Sequence, residues 1–340
     1  MTSSYLNDLL DQPSALQATL DSLSRTPPLT SFFERLTSGK YRRVILTGMG
    51  SSYHGLYPLQ LRLFALPMGV IRLETAELIH YAGELIEPAN LIVAVSQSGQ
   101  SAEVVQLLEL THQQVDLIGV TNTPGSALAE KASLALLTCA GEEATVSCKT
   151  YISALAALAW LGDQLMDEQT HFPTLAKVPQ MIAEYWSDWQ GSVEVLRQRL
   201  TAVQNLYLLG RGSSLAAACA GALIIKEAAR FGAEGMNSAA FRHGPLELIS
   251  PHTMALVYLG AGATATMNVK MAQDILAAGG LAEQVGMGGG SPPFHLPLCP
   301  LPALPILEIL LAQMVSLALA EILGNEAGQF IHANKVTTTE

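Results

Sequence analysis

Short apolar runs alternate with longer amphipathic stretches along most of this chain. In the first half the runs fall at 44–47, 70–73, 91–96, 116–121 and 134–138, and most are followed by a segment of helical period. Runs of that length, β-branched or rich in leucine, predict a parallel sheet with crossover helices. Residues 1–40 predict a helical lead-in broken at Pro27-Pro28. Residues 149–169 and 174–200 predict two Ala/Leu-rich helices that carry Trp160, Trp186 and Trp189. The rhythm then restarts, with a strand at 205–210, a helix over 215–232, a strand at 254–259 and a helix near 265–278. A loop at 286–293 (GMGGGSPP) and a final helix over 306–323 complete the pattern.

The restart is an internal repeat. Thr47-Gly-Met-Gly-Ser-Ser52 recurs as Leu209-Gly-Arg-Gly-Ser-Ser214, 162 positions later. The same offset carries Ser96 to Tyr258, inside the corresponding strand of the second half. Two copies of one α/β unit therefore account for the length. The expected division is a lead-in at 1–40, a first domain at 41–170, a helical linker at 171–200 and a second domain at 201–340.

Composition narrows the functional classes. Hydrophobic residues make up 49% of the 340 and charged ones 14%, with a mean hydropathy of +0.31. So few charges leave apolar surface to cover, and a homodimer is expected. The most apolar stretch, 301–324, is interrupted by Pro305, Glu308, Gln313 and Glu321. Its uncharged part is shorter than the roughly 20 residues a bilayer requires. Residues 1–12 carry Asp8 and Asp11 and do not form a signal peptide. A cytoplasmic protein with no membrane partner is expected. Lysine and arginine number 18 against 29 acidic residues, a formal charge of −11, which argues against nucleic acid. An anionic ligand has to be held by local geometry. Cys139, Cys148, Cys219 and Cys299 are scattered without ligand spacing. They read as reduced thiols, and neither a metal site nor a cofactor is expected.

One segment has the geometry an anion needs. Ser96-Gln97-Ser98-Gly99-Gln100-Ser101 stands where an apolar strand ends and a helix begins. Unpaired backbone N–H groups and the helix dipole favour an anion there, Gly99 lets the backbone approach, and the serines add hydroxyl donors. A helix cap alone would use one of those hydroxyls. The second copy reads Tyr258-Leu-Gly-Ala-Gly-Ala263 and keeps no hydroxyl but the phenol. One phosphate site is expected, in the first half. Gly48-Met-Gly50, with Glu74 closing the next strand, imitates a dinucleotide fingerprint, but its third glycine is replaced by Tyr53.

Taken together, the strand–GxGSS–helix and strand–SQSGxS–helix motifs, the AGEE…K segment at 140–149, KEAARFGAE at 226–234, FRHGP at 241–245 and a terminal KVT resemble the SIS (sugar isomerase) family. The resemblance implies two tandem SIS domains, each a parallel sheet flanked by helices, acting on a small-molecule sugar phosphate. It places Ser96, Gln97, Ser98 and Ser101 in the phosphate loop and Ser52 in the neighbouring sugar-binding turn. Ser147 lies near the family's sugar-contacting serine. Glu227 matches the base that moves a proton between C1 and C2, His243 the ring-opening histidine, and Lys335 the C-terminal lysine that approaches the open-chain sugar. From the residues alone, Glu227 follows an apolar helical stretch, where a carboxylate calls for a reason.

The chain departs from the family at Ile224, where an active-site lysine is usual, and at Ala240, where a glutamate is usual. Only about forty residues precede the first strand, so neither an N-terminal glutaminase nor a DNA-binding domain is expected. The resemblance therefore implies isomerisation of an amino-hexose 6-phosphate coupled to deamination. Deglycation of a fructosamine 6-phosphate is the second reading, and a non-catalytic phosphosugar sensor is the reading of another class.

Overall fold

The computed structural model describes residues 3–287, 291–332, 334 and 335. Of the expected GMGGGSPP loop, 288–290 lie outside the described residues, as do Val336 and Thr337 of the terminal KVT. The chain forms two compact units. The first gathers Ser14–Glu143, Lys149–Ala176 and the described part of 332–340. The second gathers the described part of 1–13, Ala144–Cys148 and Lys177–Ile331. This division does not follow the expected cuts at 40, 170 and 200. Residue 335 groups with the first unit rather than with 201–340, and the lead-in is shared between the two.

The first unit is built on β1 (Arg43–Gly48), β2 (Gly69–Glu74), β3 (Asn90–Val95), β4 (Asp116–Thr121) and β5 (Leu134–Leu137). They pair in parallel in the order β2-β1-β3-β4-β5. Successive side chains on a strand point to opposite faces, and both faces are covered. Val44, Leu46, Leu91, Val93 and Val95 join one core, together with Leu59, Leu63, Trp160 and Leu161 of the helices laid over it. Ile45, Ile92 and Ala94 join the other, with Leu78, Val104, Leu107 and Leu128. Central β3 is buried at every position, which is why its sequence is a continuous apolar run. The order reverses between β1 and β3, so their carboxyl ends open the crevice in which α/β sheets bind ligands.

The second unit repeats the plan with β6 (Asn205–Gly210), β7 (Ala233–Asn237), β8 (Thr253–Tyr258) and β9 (Leu281–Val285), parallel in the order β7-β6-β8-β9. Strands β7 and β9 are absent from the sequence expectation. Both are edge strands, and their sequences AEGMN and LAEQV carry polar residues at half-buried positions. The helix expected over 174–200 is broken into a 3₁₀ turn and the helices Val178–Trp186 and Trp189–Leu200, the last capped by the Asp188 carboxylate.

The helix Leu304–Ile322 is the core element of this unit, and it packs on the helix Ser214–Ala229. The contact is close because its residues are small: a Cβ placed on Gly221 would stand 2.6 Å from that of Ala312. The stretch Leu301–Ile322 is long and apolar enough to cross a membrane by composition, but every residue from Leu304 to Ala320 is buried. Glu308 lies on that helix with no exposed surface. One of its oxygens accepts a 2.7 Å hydrogen bond from Ser214 Oγ, and the other has no partner among the described residues. Burial pushes its carboxyl up to about 8, only partly offset by the serine.

Candidate functional site

The carboxyl ends of β1 and β3 place two loops side by side in the first unit. After β1, a Cβ on Gly48 would lie 3.0 Å from the Val95 carbonyl and 3.1 Å from Ser52 Cβ. Glycine is what lets the turn carrying Ser52 close against the end of β3. After β3, Ser96 continues the sheet through its N–H to the Val120 carbonyl (3.0 Å), and its Oγ accepts from the Gly99 N–H at 3.1 Å. Gly99 has φ +62°, and a Cβ there would stand 2.3 Å from Ser126 Oγ, so no other residue fits this turn. The Gln97 carbonyl receives the Asn122 N–H and the hydroxyls of Thr121 and Thr123. These bonds hold the loop rigidly against β4.

The donors remain available. Ser101 stands at the N-cap of the nine-residue helix Ala102–Leu110, yet its hydroxyl makes no capping bond. The hydroxyl is therefore not spent on the helix, and the first-turn N–H groups keep their positive end toward the loop. A cavity of about 150 Å³ is lined by Ser52, Ser96, Gln97, Ser98, Ser101, Met49, Val95, Val104 and Lys335. A second of about 740 Å³ shares Gln97, Ser98 and Lys335 with it and extends along Gln100, Asn122, Thr123, Gly141 and Glu142. That is within the ordinary range for small-molecule sites.

The structure thus brings together Ser52, Ser96, Gln97, Ser98, Ser101 and Lys335, the last from a point 234 residues beyond Ser101 in the chain. The lysine donates to the Glu143 carboxylate at 3.2 Å and to the Glu143 backbone carbonyl. Glu143 in turn accepts from the Thr150 N–H at 3.0 Å and the Thr150 hydroxyl at 2.7 Å. Met49, Val104 and Glu143 were not among the expected site residues. Position in the AGEE motif was the one available sign for Glu143, since its pairing with Lys335 spans 192 residues.

The match to known proteins covers Ser52, Ser96, Gln97, Ser98 and Ser101 of this cleft. Residues 39–161 match the family model described as "SIS domain". The chain is a SIS-domain protein. It is 28% identical to a glutamine–fructose-6-phosphate aminotransferase (isomerizing) of Pyrococcus horikoshii over 98% of its own length and 57% of that relative's. With the enzyme of the same name from Pyrobaculum aerophilum it shares 30% identity, over 72% of this chain and 41% of the relative. The chain spans about half the length of the curated relatives it matches. Its fold is shared with the C-terminal domain of a glucosamine-fructose-6-phosphate aminotransferase from Francisella tularensis (TM-score 0.81, 22% identity, 97% and 98% of the two chains). It is shared equally with a glucosamine-6-phosphate deaminase from Thermotoga maritima (TM-score 0.80, 19% identity, 99% and 100%).

The remaining expected residues of this SIS-domain chain belong to the second unit. Glu227 is half-buried near the end of the helix Ser214–Ala229, whose C-cap, Arg230, takes a left-handed conformation. His243 is exposed in the turn between the helix Ser238–Phe241 and the 3₁₀ turn Pro245–Leu248, held by its N–H to the Ala240 carbonyl at 2.9 Å. Ser147 is half-buried in the segment Ala144–Cys148 and lines neither cavity. The second copy of the Ser96–Ser101 loop, after β8, is made of Leu259, Gly260, Ala261 and Gly262, and Tyr258 is buried in the strand.

Proposed function

We propose that this chain is a phosphosugar isomerase that acts on an amino-hexose 6-phosphate and couples isomerisation to deamination. The observation that carries the reading is the cleft at the ends of β1 and β3. Its serine hydroxyls and helix N-terminus are free to receive a phosphate, and a lysine stands in its wall. In a chain of charge −11, this is a locally built anion site. The phosphate would be gripped by Ser96, Ser98 and Ser101, away from the reacting carbons.

His243 would assist opening of the ring to the aldehyde. Glu227 would then take the proton from C2 and return it to C1, converting the 2-amino aldose into a C2 imine. Water adds to that imine, and ammonia leaves as the ketose 6-phosphate forms. Neither a metal nor an organic cofactor is required by this sequence of steps. The 740 Å³ cavity beside the phosphate cleft favours a second reading, deglycation of a fructosamine 6-phosphate, whose larger substituent uses the same enolisation.

The test is a substrate panel of glucosamine 6-phosphate, fructoselysine 6-phosphate and plain hexose 6-phosphates, scored for ammonia, free amino acid and ketose. Ammonia with fructose 6-phosphate from the first is the expected result. Free lysine from the second transfers the proposal to deglycation. Binding of all three without turnover leaves a phosphosugar sensor.

A further inference from the structure

We propose that Glu143 is the positioning residue for Lys335: it fixes the lysine ammonium in the wall shared by the two cavities. The inference rests on reading the cleft as a phosphosugar site, but none of the catalytic steps above uses Glu143. Its side chain is completely buried, whereas that of Lys335 is 23% exposed. A buried carboxylate is stable only when it is paired and hydrogen-bonded, and here both oxygens are occupied. Oε1 accepts from the Thr150 N–H, and Oε2 accepts from the Thr150 hydroxyl and from Lys335 Nζ. Thr150 lies in the first turn of the long helix Lys149–Met166, so the carboxylate is oriented by a rigid element.

The second bond makes this a position rather than a mere attraction. Lys335 Nζ also donates to the backbone carbonyl of the same glutamate, and two acceptors on one residue fix the nitrogen in space. Lysine has a flexible four-carbon stem with roughly 2 kcal/mol of rotamer entropy. Among the described residues 332, 334 and 335, the hydrogen bonds are those from Lys335 to Glu143. The tether therefore sets whether the lysine faces the ligand at all. Its third N–H is left for an oxygen of the sugar phosphate.

Limited reductive methylation of the full-length protein, mapped by peptide mass, tests this without knowledge of the substrate. Lys149, 5% exposed, is the internal control for an intact fold. In Glu143→Gln, Lys335 should be modified about tenfold faster than in wild type while Lys149 stays protected. Equal modification of Lys335 in the two proteins overturns the tether. Should Glu143→Gln expose Lys149 as well, Glu143→Asp keeps the charge, withdraws it by one methylene and carries the same comparison.

Turnover supplies the second readout. Lys335→Gln and Glu143→Gln should each lower kcat at least tenfold with KM within about twofold, and the double variant should be no worse than Lys335→Gln alone. Additive losses overturn the positioning role. Full turnover in Lys335→Gln, with Lys335 still exposed by Glu143→Gln, overturns instead the reading of the cleft on which the proposal rests.

Discussion

At the scale of single residues, the proposal divides labour between groups that grip and a group that reacts. Ser98 and Ser101 line the cleft at the ends of β1 and β3, and replacing both with alanine should raise KM roughly 10²–10⁴-fold, since hydrogen bonds to a charged group are worth about 1.5–3 kcal/mol each. Their kcat should move little, because phosphate is bound alike in the ground and transition states. Glu227→Gln keeps the shape but removes the base, so kcat should fall about 10²–10⁴-fold with KM nearly unchanged. Steady-state kinetics on the substrate identified by the panel checks both, and a Glu227→Gln protein as active as wild type refutes the assigned base. The serines could be singled out because three hydroxyls and a glycine at a strand–helix junction form a local pattern, and the structure places all three on one cavity. Glu143 was not, because its partner Lys335 is distant in sequence and only the fold pairs them.

Among the elements, the strands facing two cores announced themselves. Strands β1, β3, β4 and β8 have continuous apolar runs because both faces are covered. The edge strands β7 and β9 carry no such run, and only the sheet order reveals them. The helix Leu304–Ile322 was legible as a helix, but its carboxyl at Glu308 gave no sign of its environment. With a folded-state pKa of about 8 against an ordinary 4.5, Glu308 keeps its proton in the folded chain while the unfolded chain has lost it. Its contribution to stability is therefore complete below about pH 4.5 and is lost progressively as the pH rises to about 8. Glu308→Gln retains an acceptor for Ser214 and should remove this slope. Its advantage over wild type at pH 8 should be roughly 3–5 kcal/mol, at about 1.36 kcal/mol per pKa unit. Thermal melts from pH 5 to 8 measure it; parallel curves for the two proteins would show that the carboxyl is ionised in the fold.

For the whole molecule, the repeat read from GMGSS and GRGSS correctly gave two α/β units, and both sheets share the order in which the first strand lies between the second and third. The linear boundaries did not emerge from the sequence, because contiguity in the chain says nothing about where a terminal segment returns to pack. From the low share of charged residues, 14% of the chain, we propose that the protein self-associates. Sedimentation should give a species at least twice 36.1 kDa, and an active monomer at micromolar concentration would count against it. The central claim is that two copies of one unit retain a single phosphate site. A crystal soaked with a hexose 6-phosphate tests it most directly. Phosphate density should lie against Ser96, Ser98 and Ser101, with none at residues 258–263. Density at 258–263 and an empty cleft at 96–101 would contradict the account.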